Sequence, residues 1–244
     1  MSSNAANFKP AVLGATLAAL VAAACGLRPV AGSLASAAPR TDQLLALAGR
    51  GGTLAVLGGM RSVAAGGFWL KANLVWEKRD APATIALIEL TVAADERPLY
   101  FWLNGARMLA YDLPEWQLEG VSSAAVRQKI IADHARQALR FLEQGRRWHG
   151  DDAALFIEMG NIQLRRTGDL EAAARCYRQA AEQPGAPYYA ARIHGELLRE
   201  LGRPAEAIAW LRQILPTLPA DDPAARRGVV LERIAALERE LDAK

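Results

Sequence analysis

Two stretches of this 244-residue chain repeat one pattern at a nearly fixed offset. Gly160 and Gly195 lie 35 residues apart, and Gly168 and Gly202 lie 34 apart. Around both pairs, apolar residues recur at three and four, the period of one helix face. In residues 188–221 a first helix runs through Ala191, His194, Gly195 and Leu198. A turn at Gly202-Arg203 leads to a second helix from Pro204 through Ala207, Leu211 and Ile214, closed by Pro216 and Pro219. Proline opens a helix without loss, because its missing N–H would be unpaired there anyway. Residues 153–187 carry the same parts. Phe156, Met159, Gly160, Asn161 and Leu164 mark a first helix, Thr167-Gly168-Asp169 a turn, and Ala173, Tyr177 and Ala180 a second helix that Pro184 ends. Gly195 and Ala207 fall where two antiparallel helices must approach closely, and a larger side chain would part them. The earlier unit has one residue more, which the spacing places in its turn. A chain of this kind builds its core by stacking like units.

With this period and these positions, the two units closely resemble the tetratricopeptide repeat. The resemblance implies an all-α fold: a right-handed superhelical stack of antiparallel helical hairpins. It extends upstream to Pro98 through Gly105, with Phe101 and Gly105 in the aromatic and glycine places. There the second helix is expanded. Asp112-Leu113-Pro114 breaks the chain, and a long amphipathic stretch follows over residues 121–147. Residues 63–78 and 83–94 flank Arg79-Asp80 as a divergent first hairpin, which residues 95–98 close. The last segment, residues 223–242, is amphipathic through Val230, Ile234, Leu237 and Leu241 and reads as a capping helix. An open stack needs such a polar end. Strand signals are scarce after residue 41. The expected organisation is a signal anchor at 1–27, a linker at 28–52, divergent hairpins at 53–152, two repeats at 153–221 and the cap at 222–244.

Residues 11–27, from Ala11 to Leu27, read AVLGATLAALVAAACGL and carry no charge. Crossing a bilayer takes about 17–25 apolar residues, so this run sits at the short end. It reads as a single transmembrane signal anchor with the body exported, placing the chain in a bacterial inner membrane facing the periplasm. Two other readings stand beside it. Cys25, after Val21-Ala22-Ala23-Ala24, fits a loose lipobox of a lipoprotein, although Ala22 holds the place where Leu is favoured. A cleaved signal of a secreted protein is the third. Residues 28–40, RPVAGSLASAAPR, have the composition of a flexible linker.

Net charge is +3, and no Lys/Arg block is interleaved with aromatics, so no nucleic-acid partner is expected. Cys25 and Cys176 cannot make a disulfide framework. Gly49-Arg50-Gly51-Gly52-Thr53 lacks the lysine and spacing of a phosphate loop. His134, His149 and His194 stand apart, without metal-binding spacing. His134 and His194 fall on apolar stripes and read as satisfied structural histidines. No serine sits in a nucleophile elbow. Asp151-Asp152 and Asp221-Asp222 mark helix starts, where carboxylates favour the helix dipole. Cys176 reads as a packing residue. Trp69, Trp76, Tyr100, Phe101, Trp102, Tyr111 and Trp116 read as core; a hydrophobic patch toward a membrane or partner is the other reading. Neither catalysis nor a metal or cofactor is expected.

The resemblance implies that first helices line a concave inner side. In that register Asn161, Arg165, Tyr189, Arg192, Glu196 and Arg199 are the protein-binding candidates, beside Ile157 and Leu164. Arginine grips carboxylates in bidentate fashion, and asparagine can hold an extended peptide backbone. Chaperone-binding members grip a C-terminal carboxylate with Lys, Asn and Arg. Asn161 matches one such place, but Ile157 stands where a Lys would, so that activity is not expected. The expected function is a membrane-anchored scaffold or adaptor that binds another protein of the envelope. The alternative is an accessory structural subunit, buried in a larger envelope complex through its aromatic-rich first half.

Overall fold

A computed structural model describes residues 61–243. The expected anchor with Cys25, the linker and the glycine-rich stretch at 49–53 lie outside those residues. Within them, every regular element is helical. In chain order these are α1 (Arg61–Glu77), α2 (Ala81–Ala94), α3 (Leu99–Arg107), a π-helical segment (Met108–Asp112) and α4 (Leu113–Leu118). Then come α5 (Ala124–His149), α6 (Ala153–Ile162), a second π segment (Gln163–Thr167), α7 (Leu170–Ala181), α8 (Tyr188–Glu200), α9 (Pro204–Ile214), two 3-10 turns (Leu215–Thr217 and Pro223–Ala225) and α10 (Arg227–Asp242). Among the described residues no helix is long and apolar enough to cross a membrane.

Neighbours in sequence are neighbours in space. α1 packs on α2, α6 on α7, and α8 on α9; α7 packs on α8, and α10 covers α9. α3 packs mainly on the long α5, which also receives α6 and both π segments. The turns follow from their residues. Gly168 and Gly202 take left-handed backbone, at φ 70° and 73°, a conformation that costs a side-chain-bearing residue. Asp152 and Asp169 cap α6 and α7, accepting from the N–H groups of Ala154 at 2.9 Å and Ala172 at 2.8 Å.

The glycine register sets the spacing between helices. A Cβ on Gly160 would stand 2.9 Å from the Tyr177 ring, and one on Gly195 would stand 2.9 Å from Leu211. The third first-helix glycine behaves alike: a Cβ on Gly105 would meet Ile88 at 2.7 Å and Phe141 at 3.0 Å. Ala207 is fully buried beside them. The aromatic cluster is mostly core. Trp102 is 2% exposed, stacks on Trp148, meets Phe141 at a tilt, and donates its indole N–H to the Glu96 carbonyl at 2.9 Å. Trp69 is buried, and Trp76, Phe101, Tyr111 and Trp116 pack against the same core, while Tyr100 stays exposed.

Two expectations need correction. The extra residue of the first repeat does not lengthen its turn. It is absorbed in the last turn of the first helix as the segment Gln163–Thr167, where the Gly168 N–H reaches back five residues to the Gln163 carbonyl. Asp112-Leu113-Pro114 does not break the chain either. Helical backbone continues from Leu99 to Leu118, because the Leu113 N–H bonds to the Met108 carbonyl five residues back. Pro114 therefore sits in the first turn of α4, where its missing donor costs little. The break comes later, at Gly120 with φ 75°, and Ser123 then caps α5.

Candidate functional site

The six candidates divide between two helices. Asn161 and Arg165 belong to α6 and its π turn; Tyr189, Arg192, Glu196 and Arg199 belong to α8. The α8 residues come together. Tyr189, Arg192 and Glu196 line a groove of about 280 Å³ with Ile193, Leu211 and residues of the cap helix α10, Val229, Val230 and Arg233. Arg199 joins them through Glu196.

Most of these side chains are already engaged within the chain. The Asn161 carbonyl oxygen accepts from the Tyr177 hydroxyl at 2.8 Å. Gly160 and Asn161 thus serve one ring: the glycine makes room for it and the amide fixes its tip. Burial pushes the Tyr177 hydroxyl up to about 12, so it remains a donor at neutral pH. Arg192 donates to the carbonyls of Ala224 at 3.3 Å and Ala225 at 3.0 Å, tying down the 3-10 turn before α10. Burial, with the Arg226 charge nearby, holds the Arg192 guanidinium below its ordinary value. Glu196 accepts from Arg199 at 2.8 Å and pairs with Arg233 of α10 at 3.1 Å. That leaves two. Tyr189 is 43% exposed. Arg165 is exposed and makes no ion pair among the described residues. Arg165 lies close enough to Tyr177 for its charge to be felt there.

Two ion pairs between elements involve close sequence neighbours of Asn161 and Arg165 that spacing alone did not point to. Arg107 of α3 reaches across to α6 and donates from Nε and Nη2 to one oxygen of Glu158, at 3.0 and 2.9 Å. The Glu158 side chain is 4% exposed, so this pair fixes one first helix against the next. Arg166 pairs with Glu115 at 3.2 Å, with its guanidinium 5.2 Å from the Tyr111 ring centroid. The glycine register carried a usable signal: Arg107 stands two residues after Gly105, and Glu158 two before Gly160.

Groups with chemical potential elsewhere are held by packing. Burial raises the Cys176 thiol to about 11, the wrong direction for a nucleophile. His194 Nδ1 lies 2.9 Å from the Ala174 carbonyl, and its ring meets Trp210 edge-on. His134 is buried as expected but not fully satisfied, because its Nδ1 has no hydrogen-bond partner. Among the described residues, no three His, Cys, Asp or Glu side chains gather as a metal site would need. No model of a known protein family matches the chain, and no curated protein matches it.

Proposed function

We propose that this chain is a membrane-anchored, tetratricopeptide-like scaffold or adaptor that holds another envelope protein on the face of its first helices. In this reading the hairpins form a right-handed superhelical stack, residues 11–27 anchor it, and the body faces the periplasm. The observation that carries it is that Arg165 and Tyr189 are exposed and uncommitted, while Arg192, Glu196 and Arg199 are held within the chain. A carboxylate on the bound segment would take charge-assisted hydrogen bonds from Arg165. The Tyr189 ring would cover apolar atoms beside it at little entropic cost. The Arg107–Glu158 pair and the Arg199–Glu196–Arg233 chain would act as fixed walls.

The test is crosslinking in intact cells followed by mass-spectrometric identification of the joined protein. Arg165→Glu with Tyr189→Ala alters two exposed side chains and should leave helicity unchanged while lowering the adduct at least tenfold. Arg175→Glu, at an exposed position of α7, should leave the adduct unchanged. An adduct that survives the double substitution would remove the first-helix face from the account.

A further inference from the structure

The two π segments stand at the same place in their helices. Each begins three residues after a first-helix glycine, Met108 after Gly105 and Gln163 after Gly160, whereas α8 runs past Gly195 without one. Such turns are rare and gather at functional sites, and an added residue turns the side chains after it by roughly 100° about the axis. Here the fourth residues of the two segments meet, with the Arg166 guanidinium 5.2 Å from the Tyr111 ring centroid. Arg107, Arg165 and Arg166, and Glu158 with opposite sign, all lie near enough for their charges to act on the Tyr111 hydroxyl. The carboxylates of this junction are held unequally. Glu158 is enclosed and takes two bonds from Arg107. Glu115 of α4 is 61% exposed and takes one bond of 3.2 Å from Arg166, whose own side chain is only 15% exposed. Arg166 Nε is enclosed and has no hydrogen-bond partner among the described residues.

We infer that Arg166 is a further carboxylate-binding residue beside Arg165, and that Glu115 is its built-in competitor. The inference rests on the reading that a carboxylate of the bound segment reaches Arg165. That carboxylate, seated between the two neighbouring guanidinium groups, takes the place of the Glu115 carboxylate on Arg166. Glu115 is the group that can leave. One contact holds it, most of its side chain is already in water, and Leu113, Pro114 and Leu118 keep α4 buried without it. Glu158 cannot leave in this way, because it is enclosed and doubly bonded. The Tyr111 ring stays against Arg166 throughout and keeps the cation in position. Exchange replaces one carboxylate by another, so a segment without an acidic side chain cannot make it. Glu115 thus sets the affinity of the site and screens out neutral segments.

The test is fluorescence anisotropy on the full-length chain in a nonionic detergent at low salt. The probe is a dansyl-labelled, C-terminally amidated peptide of alternating glycine and glutamate. Glu115→Gln should tighten binding roughly threefold, within what an exposed ion pair can withhold, and leave the melting temperature unchanged. Glu119→Gln makes the same charge change four residues on, in a pair with Arg79, and should leave binding unchanged. Arg166→Gln should weaken binding, and in that background Glu115→Gln should lose its effect. A peptide that binds neither the wild type nor Glu115→Gln overturns the proposal. So does an equal gain from Glu119→Gln, which reports net charge alone, or a gain from Glu115→Gln that persists without Arg166. Inorganic phosphate that displaces the peptide at lower concentration than acetate overturns it in favour of a phosphoryl group. A crosslinked adduct in cells that falls with Arg165→Glu but ignores Glu115→Gln overturns this inference and leaves the scaffold role standing. Tighter peptide binding with no adduct in cells supports the inference and removes that role.

Discussion

α1 and α6 both carry glycine on one helical face, and the two faces differ in what covers them. In α6 the Tyr177 ring fills the space beside Gly160, and its hydroxyl is fixed by the next residue, Asn161. In α1 the space beside Gly66 and Gly67 is open and bordered by exposed Val63, Leu70 and Leu74. The comparison separates two settings of one residue. A covered glycine sets the distance between helices inside the fold; Gly66 and Gly67, like Gly228 in α10, set none. The open surface on the first helices is of another kind. It is polar and aromatic, with Arg165 and Tyr189 uncommitted among paired charges, and suits an extended polar segment better than a helix face.

Substitutions can break or sharpen this comparison, and the covered glycines give the largest effects. Trp102 fills the space beside Gly145, where a Cβ would stand 2.9 Å from the indole. Trp102→Ala should cost about 3–5 kcal/mol in urea unfolding, as large core truncations do. In that background Gly145→Ala should lose its own penalty, because the ring that obstructs it is gone. Gly105→Val, pressed by Ile88 and Phe141, should cost about 3 kcal/mol, at the upper end for overpacking. Gly67→Ala should go the other way and stabilise the isolated chain by about 0.5–1 kcal/mol. If Gly67→Ala destabilised as Gly105→Val does, the distinction between covered and open glycines would be lost.

The smallest effect concerns pH. Burial holds the imidazoles of His134 and His194 below their ordinary value, offset in part by the carbonyls of Leu109 and Ala174. The unfolded chain therefore binds more protons than the folded one just below the ordinary histidine value of about 6.5. Stability should fall as pH drops through that value toward 5, and His134→Leu should flatten the slope. Urea unfolding at a series of pH values measures it; an unchanged slope would mean that His134 does not titrate differently on folding.

Much of this arrangement was legible in the sequence. The glycine spacing placed the last two hairpins, the proline and glycine stops bounded them, and Asp152 stands as the expected cap. The aromatic-rich first half read as core because its rings recur at helical spacing, and Trp102 packs accordingly. Both π segments escaped. A residue inserted in a helix has the same linear spacing as one inserted in a turn, so Gln163–Thr167 looked like a longer turn. Pro114 looked like a stop because only the five-residue bond at Leu113 shows how the helix carries on past it. At the candidate site, helical register put Tyr189, Arg192 and Glu196 on one face, and they do line one groove. Register could not show that Glu196 is held by Arg233, or Arg192 by the Ala224 and Ala225 carbonyls, since those partners lie more than 30 residues away. Arg165, by contrast, makes no ion pair among the described residues.

Photo-crosslinking from position 189 tests the proposed binding role most directly. A photo-reactive residue in place of Tyr189 in the full-length chain should give an adduct with a different protein in intact cells, and adding Arg165→Glu should lower its yield at least tenfold. Self-adducts alone, or an adduct indifferent to Arg165→Glu, would contradict that role.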